Sequence, residues 1–340
     1  MNKSINELSF CKGNAQIENG LECEGTKSIS RIGFIDVAKT FCIFLMVVGH
    51  WTNNEKLWIY IYSFHMPALF VISGYLYKPR KWWKTIVSLG IPVLFYSSLN
   101  LLILCLTDRI SVDTLLNKEL FFRFFHYRYG LPGGLFCGDW FIWALLALRL
   151  LYGDVKIGGY IRKFFIPLSV LMIIWVSLES YLVRVDTIFR GWFIGRLVPC
   201  MPFFAVGLYL KEKRWTPTCI SLLMSVALFL LAIALPIING KCSILNNEFG
   251  LSYVIFCINA IITTILLFVF SNKISSSLMF VIFSKGTLLI LGLNLQLIYL
   301  LDFLLPQWIK FAIPFLVMGL CYYPIILLDR WCPILLGKIK

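Results

Sequence analysis

The fold is decided by the stretch Arg31-Ile-Gly-Phe-Ile-Asp36-Val-Ala-Lys39-Thr-Phe-Cys-Ile-Phe-Leu-Met-Val-Val-Gly-His50. Apart from Asp36 and Lys39, the residues between its two ends are almost all apolar. The stretch is about as long as the ~20 residues that an α-helix needs to cross a bilayer. It therefore predicts a membrane-spanning helix that carries ionisable side chains.

The ionisable residues of this helix share one face. Eleven residues make about three helical turns, so Lys39 and His50 lie on the same side, with Asp36 beside Lys39 at i,i+3. His50 lies ~16 Å beyond Lys39 along the axis. Charges within a span are costly and mark a pathway or an active site. Alternatively, Asp36 and Lys39 are an ion pair at the cytoplasmic interface. His50 is either a general base or an interfacial histidine.

The rest of the chain is just as apolar. Of its 340 residues 59% are hydrophobic and 14% are charged, whereas soluble domains carry about 25% charged residues. The net charge of +14 fits positively charged cytoplasmic loops better than a nucleic-acid partner. The eleven cysteines are scattered, with no CxxC pair, which argues against a disulfide framework and against a metal site.

The distribution of apolar runs predicts an all-α integral membrane protein, a bundle of about ten transmembrane helices. Roughly twice as many Lys and Arg residues fall in the segments assigned to the cytoplasm as outside, which places both termini in the cytoplasm. Residues 1–30 are polar and predict a disordered cytoplasmic tail, followed by one membrane domain over 31–340. The ten runs are 32–52, 57–77, 85–106, 139–153, 164–178, 192–210, 217–236, 250–271, 286–305 and 311–328.

The second helix carries another polar cluster. His65 is expected near the depth of His50, so the two histidines either share a site or His65 caps the carbonyl that Pro67 leaves unbonded. Further along, Gly74 follows Ser73 and lets a backbone or a ligand approach closely.

Two basic segments suit anionic ligands. The run from Lys78 to Lys84 includes Arg80 and Lys81; it either fixes the orientation in the membrane or binds phosphates. The outer loop from Thr107 to Gly138 places Arg123 among aromatic residues, which suits a sugar or an anionic group, or an interfacial aromatic belt.

These motifs resemble the acyltransferase-3 family of membrane O-acyltransferases over about residues 31–330. Lys39 and His50 are similar to its Arg/Lys-X10-His motif, although arginine is the commoner basic residue there. Asn294 stands where relatives often have a histidine. The other similar segments are Phe64–Pro67, Ile72–Tyr75, the basic stretch leading to Pro92, Asp139–Trp143, Pro202–Gly207 and Gly286–Leu291.

The resemblance implies an enzyme of the bacterial cytoplasmic (inner) membrane. It would move an acyl group, acetyl as the family expectation, from cytoplasmic acyl-CoA to a hydroxyl of an extracytoplasmic or lipid-linked glycan. Acetyl-CoA is then a co-substrate, no cofactor is held permanently, and the partners are membrane lipid, acyl-CoA and the glycan. In this reading His50 is the general base or is itself acylated.

The resemblance also assigns roles to the other candidates. The catalytic candidates besides His50 are Lys39, its motif partner, and Asp36, which belongs to the same stripe. The candidates for donor binding are Arg80, Lys81, Ser73 and Gly74, and those for the acceptor are His65, Trp140 and Arg123. Trp140 and Tyr75 either line the route of the pantetheine arm or are ordinary packing aromatics.

Two other functions compete. A transporter or flippase for a lipid-linked sugar or small solute also carries ionisable residues in broken helices, usually in both halves of the chain. Here they concentrate in the first three helices, and between Thr216 and Phe270 only Lys241 and Glu248 are charged. This asymmetry favours the enzyme. A membrane anchor with lost catalysis is suggested only by Asn294.

Overall fold

The computed structural model describes residues 32–106, 140–153, 163–182 and 197–339. The predicted tail over 1–30 and the loop that holds Arg123 lie outside the described residues. The described part of the chain is all-α apart from one two-stranded hairpin, and it belongs to a single structural unit, Ile32–Lys340.

The helices follow one another in the order predicted from the apolar runs. They are α1 (Gly33–Trp51), α2 (Glu55–Tyr62), α3 (His65–Tyr75), α4 (Trp82–Leu106), α5 (Trp140–Gly153), α6 (Phe165–Leu182), α7 (Met201–Glu212), α8 (Leu222–Asn239), α9 (Tyr253–Lys273), α10 (Leu278–Lys285), α11 (Thr287–Leu304) and α12 (Ile313–Trp331). Strands β1 (Cys242–Ser243) and β2 (Glu248–Phe249) pair antiparallel. Short 3-10 helices cover Val198–Cys200, Pro217–Cys219, Gln307–Ala312 and Pro333–Leu336.

The chain is a multi-pass membrane protein. Each of the ten predicted runs overlaps a helix, but the count of ten spans and the orientation stay predictions. Among the described residues, six helical segments are long and apolar enough to cross a bilayer: Gly33–Trp51, Glu55–Tyr75, Leu222–Asn239, Tyr253–Lys273, Thr287–Leu304 and Gln307–Trp331. Trp140–Gly153 and Pro167–Leu178 are shorter apolar helices.

Helix α1 lies inside the bundle, where it packs against α3, α9, α10 and α11. Its buried side chains include Val37, Ala38, Cys42 and Val47, which are essentially inaccessible to solvent. By contrast, α8 exposes most of its apolar side chains, as expected for a lipid-facing helix. Asp36 and Lys39 are therefore presented to protein rather than to lipid, whereas His50 at the end of the helix is exposed.

The predicted second helix is broken into α2 and α3 at Ser63. Pro67 lies in the first turn of α3, where a missing N–H is tolerated, so the break precedes the proline. The carbonyl that Pro67 leaves unbonded belongs to Ser63, and the buried amide of Asn259 donates to it over 3.4 Å. His65 instead contacts the carbonyl of Ile61, at 2.6 Å. The prediction that His65 caps the proline's carbonyl is thus wrong, because Asn259 fills that position.

Helices α3 and α7 touch backbone to backbone. A Cβ added at Gly74 would overlap the Phe204 carbonyl oxygen, and one added at Gly207 would overlap that of Val71. Small residues let membrane helices approach this closely and so gain packing contacts. This contact positions α3, and with it His65, in the bundle.

The two ends of the bundle differ in charge. Near the start of α1, the ring of Phe34 contacts Tyr75, whose hydroxyl donates to the Trp215 carbonyl. This end, called the Gly33 end here, gathers the basic side chains Lys78, Arg80, Lys211, Lys285 and Lys338. The opposite end, the His50 end, carries α2 and the hairpin, which contact each other. The positive-inside rule supports a cytoplasmic Gly33 end.

The C-terminal segment folds back under the Gly33 end. Asp329 forms ion pairs with Lys285, at 3.0 Å, and with Lys338. The Tyr96 hydroxyl donates to the Leu335 carbonyl over 3.1 Å. Leu335 and Leu336 are buried, so the last residues of the chain close this end of the bundle.

Candidate functional site

His50 lies in the last turn of α1, and its side chain is exposed. Its Nδ1 atom is 3.2 Å from the Tyr62 hydroxyl oxygen. When Nδ1 carries the proton and donates it to Tyr62, the lone pair of Nε2 is left to accept a proton or to attack a carbonyl carbon. Among the described residues no partner is recorded for Nε2. An accessible imidazole held through one nitrogen suits acid–base or nucleophilic catalysis.

His65 lies on the other side of Tyr62. Its ring meets the Tyr62 ring edge-on, with 5.0 Å between centroids, and the two imidazoles are near enough to interact electrostatically. Unlike His50, it is buried, with 2% of its surface exposed. Because Nδ1 faces the Ile61 carbonyl, it is the protonated nitrogen of a neutral His65. The structure thus brings His50 and His65 together around Tyr62.

The remainder of the α1 stripe faces α10. The Lys39 ammonium donates to the Ser284 carbonyl over 2.8 Å, and the Thr40 hydroxyl lies 3.1 Å from the Phe280 carbonyl oxygen. A cation at a helix C-terminus is favourable because it meets carbonyl oxygens that lack partners in the helix. Asp36, buried at 5% exposure, lies one turn before Thr40. Lys39 therefore holds α1 to the junction of α10 and α11, well away from His50.

Cations from three parts of the chain meet near Tyr77, at the Gly33 end. Arg149 on α5 is near enough to Arg80 for their charges to repel, and also interacts with Tyr77. Lys211 on α7 donates to the Tyr77 carbonyl and feels the charge of Lys78. The Nε atom of Arg149 is buried and has no hydrogen-bond partner in the part of the chain that the structure describes. Converging guanidinium and ammonium groups suit a phosphate-rich ligand.

The other predicted residues are more scattered. Gly74 lies on the α3 face toward α7, where backbone fills the space beside it, and Ser73 precedes it on the same helix. Trp140 is buried against Phe70 and Phe141, so α5 presents it to α3. Lys81 is exposed just before α4. Arg123 lies outside the described residues. The roles of all these residues in binding stay predictions.

Asn294 is buried and bonded to its own helix. Its amide donates to the carbonyls of Ile290, at 3.1 Å, and of Leu291, at 2.7 Å. This arrangement turns the side-chain oxygen away from the helix, and that buried oxygen has no hydrogen-bond partner among the described residues. An amide oxygen can accept a proton in a hydrogen bond but cannot act as a general base, unlike the histidine expected here.

Three residues of the site were missed by the sequence reasoning. Tyr62 lies two residues before the Phe64–Pro67 motif, and its aromatic ring alone gave no reason to choose it. Arg149 contributes to the excess of positive charge that the sequence assigns to the cytoplasm, but an arginine within an apolar helix is also a signal of a functional site. Lys211 follows the Pro202–Gly207 motif and carries no distinctive spacing. No group of three metal-ligating side chains occurs in the described ranges.

The sequence profile described as an acyltransferase domain matches residues 32–328, from the start of α1 into the last turn of α12. No curated protein and no solved structure is significantly similar to the chain.

Proposed function

The chain belongs to the acyltransferase-3 family, and on that premise we propose that it moves an acetyl group from acetyl-CoA in the cytoplasm to a hydroxyl of an extracytoplasmic or lipid-linked glycan. The membrane would be a bacterial inner membrane. The observation that carries the proposal is the accessible imidazole of His50, held at Nδ1 by Tyr62 and flanked by His65.

The chemistry needs one proton acceptor. As the acceptor hydroxyl attacks the thioester carbonyl, Nε2 of His50 takes its proton, and a C–O bond forms while the C–S bond breaks. The proton then passes to the departing sulfur, so the products are the acetyl ester and coenzyme A with a free thiol. A positioned general base contributes about 10²–10⁴-fold to the rate of such a step.

The second route passes through an acylated histidine. Nε2 attacks the thioester carbonyl, the C–S bond breaks, and coenzyme A leaves as the thiol with the proton that Nδ1 gives up. The acceptor hydroxyl then forms the C–O bond as the C–N bond breaks, and its proton returns to the imidazole. Acid quenching with labelled acetyl-CoA and no acceptor separates the routes, because only this one leaves label on His50.

In this proposal acetyl-CoA, the acyl donor, binds at the Gly33 end. The diphosphate and 3′-phosphate of coenzyme A are matched by Arg80, Arg149 and Lys211, with Lys81 nearby. The pantetheine arm then extends along α1 toward His50. Lys39 acts as a positioning residue, because its bond to Ser284 fixes the face of α1 that carries His50.

The test is acetyl transfer from radiolabelled acetyl-CoA by purified protein to membranes that hold the natural acceptor. We expect His50→Ala to lower transfer by at least about 10²-fold while the Kd for coenzyme A stays within about twofold. Wild-type transfer rates in His50→Ala would overturn the role of His50. Absence of coenzyme A binding in the wild type would overturn the enzyme and favour a transporter.

A further inference from the structure

Tyr62, which contacts His50, is part of a longer row of side chains. Trp58 lies one turn before Tyr62 on α2, and the two rings stack with 4.0 Å between centroids and 16° between planes. The Lys241 ammonium lies over the Trp58 ring, 5.0 Å from its centroid. The row, called the Lys241 row here, therefore joins the imidazole of His50 to an exposed ammonium group through two aromatic rings.

The loop that carries Lys241 has a defined backbone. Asn239 is buried at its base; its amide donates to the Phe249 carbonyl over 2.9 Å, and its oxygen accepts from the Ser252 N–H at 2.8 Å. Gly240 adopts φ 75°, in the region that favours glycine, immediately before Lys241. The position from which the Lys241 side chain starts is thus set by the fold and not by a loose connection.

Lys241 differs from three lysines that form ion pairs among the described residues. Lys285, Lys310 and Lys338 each pair with an aspartate, whereas no carboxylate in the described ranges pairs with Lys241. The acid of the same hairpin, Glu248, lies opposite Ser243 in the strand register. A cation over an indole keeps its charge and its three N–H donors toward solvent.

We propose that Lys241, held over Trp58, binds a negatively charged group of the acceptor, a carboxylate or a phosphate, while His50 meets the acceptor's hydroxyl. The proposal rests on the acyltransferase function and adds the class of substrate. Stacking of Trp58 on Tyr62 sets the separation of the ammonium from the imidazole, so an acceptor whose charge and hydroxyl match that separation is placed for reaction. Acidic glycans and phosphate-linked sugars meet this condition, and neutral glycans lose the contact.

The experiment measures transfer of labelled acetyl groups in membrane vesicles from source cells that lack the protein, after purified variants are added back. At saturating acetyl-CoA, we expect Lys241→Ala to lower transfer about tenfold and Lys241→Glu to lower it further, with Lys241→Arg close to wild type. The matched control is Lys56→Glu, an exposed lysine two residues from Trp58 and so on another face of α2. Binding of coenzyme A should be the same in all variants.

The dependence of acetyl transfer on salt concentration distinguishes a role of Lys241 in charge recognition from a purely structural role. Raising NaCl should lower wild-type transfer more than that of Lys241→Ala, because only the wild type loses a charge contact at this end. Equal transfer by Lys241→Glu and wild type would overturn the proposal, as would identical salt profiles. A third result would also overturn it: the Lys241 variants regain wild-type transfer when they are reconstituted with the extracted acceptor in zwitterionic phosphatidylcholine. That result would mean that Lys241 contacts anionic lipid headgroups in the native membrane and not the acceptor. Failure of the wild type to turn over acetyl-CoA would instead overturn the acyltransferase function.

Discussion

Tyr62 contacts both histidines of the candidate site. Its hydroxyl meets Nδ1 of His50, and its ring packs edge-on against His65. A histidine bonded at one nitrogen keeps a fixed ring orientation and presents the other nitrogen to a substrate. Tyr62 is therefore a positioning residue, which acts through His50.

Tyr62→Phe removes the hydroxyl and keeps the ring that stacks on Trp58. We expect kcat to fall about tenfold, as for the loss of one hydrogen bond, with the KM for acetyl-CoA unchanged because the proposed phosphate site lies at the other end of the bundle. Tyr60→Phe, on the same helix as Tyr62, is the control, since it removes a hydroxyl that donates to the Ile233 carbonyl of α8. An unchanged kcat in Tyr62→Phe would contradict the role of Tyr62.

Arg149 should act on donor affinity. Arg149→Ala removes a guanidinium whose buried Nε has no partner within the described ranges, and we expect the KM for acetyl-CoA to rise at least about tenfold. Arg149→Lys should recover part of the loss, because it restores charge without the planar fork. Steady-state kinetics would check this against Arg330→Ala, which removes an exposed guanidinium at the same end. A lower unfolding temperature with an unchanged KM would mean that Arg149 is only structural.

At the scale of single residues, the sequence predicted the positions along α1 but not their partners. Helical periodicity was enough to place Lys39 and His50 on one face and His65 at a similar depth. The Ser284 carbonyl that Lys39 contacts is 245 residues away along the chain. No local pattern specifies such a contact, because a backbone carbonyl is the same in every residue.

At the scale of helices, the close contact of α3 and α7 depends on two glycines. The sequence predicted that Gly74 admits either a backbone or a ligand, and the structure places the backbone of α7 there. Gly207, at the end of the Pro202–Gly207 segment, plays the same part on α7, because a Cβ there would overlap the backbone of α3. Their pairing could not be predicted from either helix alone, because it depends on the angle at which the two cross.

Substituting either glycine should separate the two helices. For Gly74→Ala and Gly207→Ala we expect a loss of about 1–3 kcal/mol or more, because the new methyl group meets a backbone oxygen that cannot move alone. Gly319→Ala is the control: nothing lies within 4 Å of a Cβ there, so the change should be neutral or slightly stabilising. Thermal unfolding midpoints in detergent would rank the three variants. If the midpoints of Gly74→Ala and Gly207→Ala equalled that of Gly319→Ala, the close contact of α3 and α7 would not contribute to stability.

At the scale of the molecule, hydrophobicity was sufficient to predict an all-α membrane protein whose apolar runs coincide with helices. Hydrophobicity did not predict that α2 and α3 separate at Ser63, because the Ser63 carbonyl accepts from Asn259, which lies in another helix. Nor did it predict the hairpin, which is only two residues long on each strand. Orientation follows from charge alone and can be tested directly.

A membrane-impermeant maleimide should distinguish the two ends in intact cells. Exposed Cys219, at the Gly33 end, should be labelled only after permeabilisation, whereas Lys241→Cys should be labelled without it. Burial raises the pKa of the neighbouring Cys242 to about 11, so its thiolate is scarce at pH 7 and it should react slowly. Mass spectrometry of labelled peptides would identify each site, with Cys219→Ser as the blank. Labelling of Cys219 in intact cells would reverse the proposed orientation.

The contact between Lys39 and Ser284 also has a consequence for biosynthesis. α1 emerges from the ribosome early, whereas Ser284 follows Lys39 by 245 residues. Because synthesis proceeds at about 5–20 residues per second, the Ser284 carbonyl is made roughly 12–50 seconds after Lys39. A charge inside a bilayer is costly, so for this interval the nascent helix has a reason to stay near the polar surroundings of the insertion machinery. Helix α1 is thus made well before the contact between Lys39 and Ser284 can form.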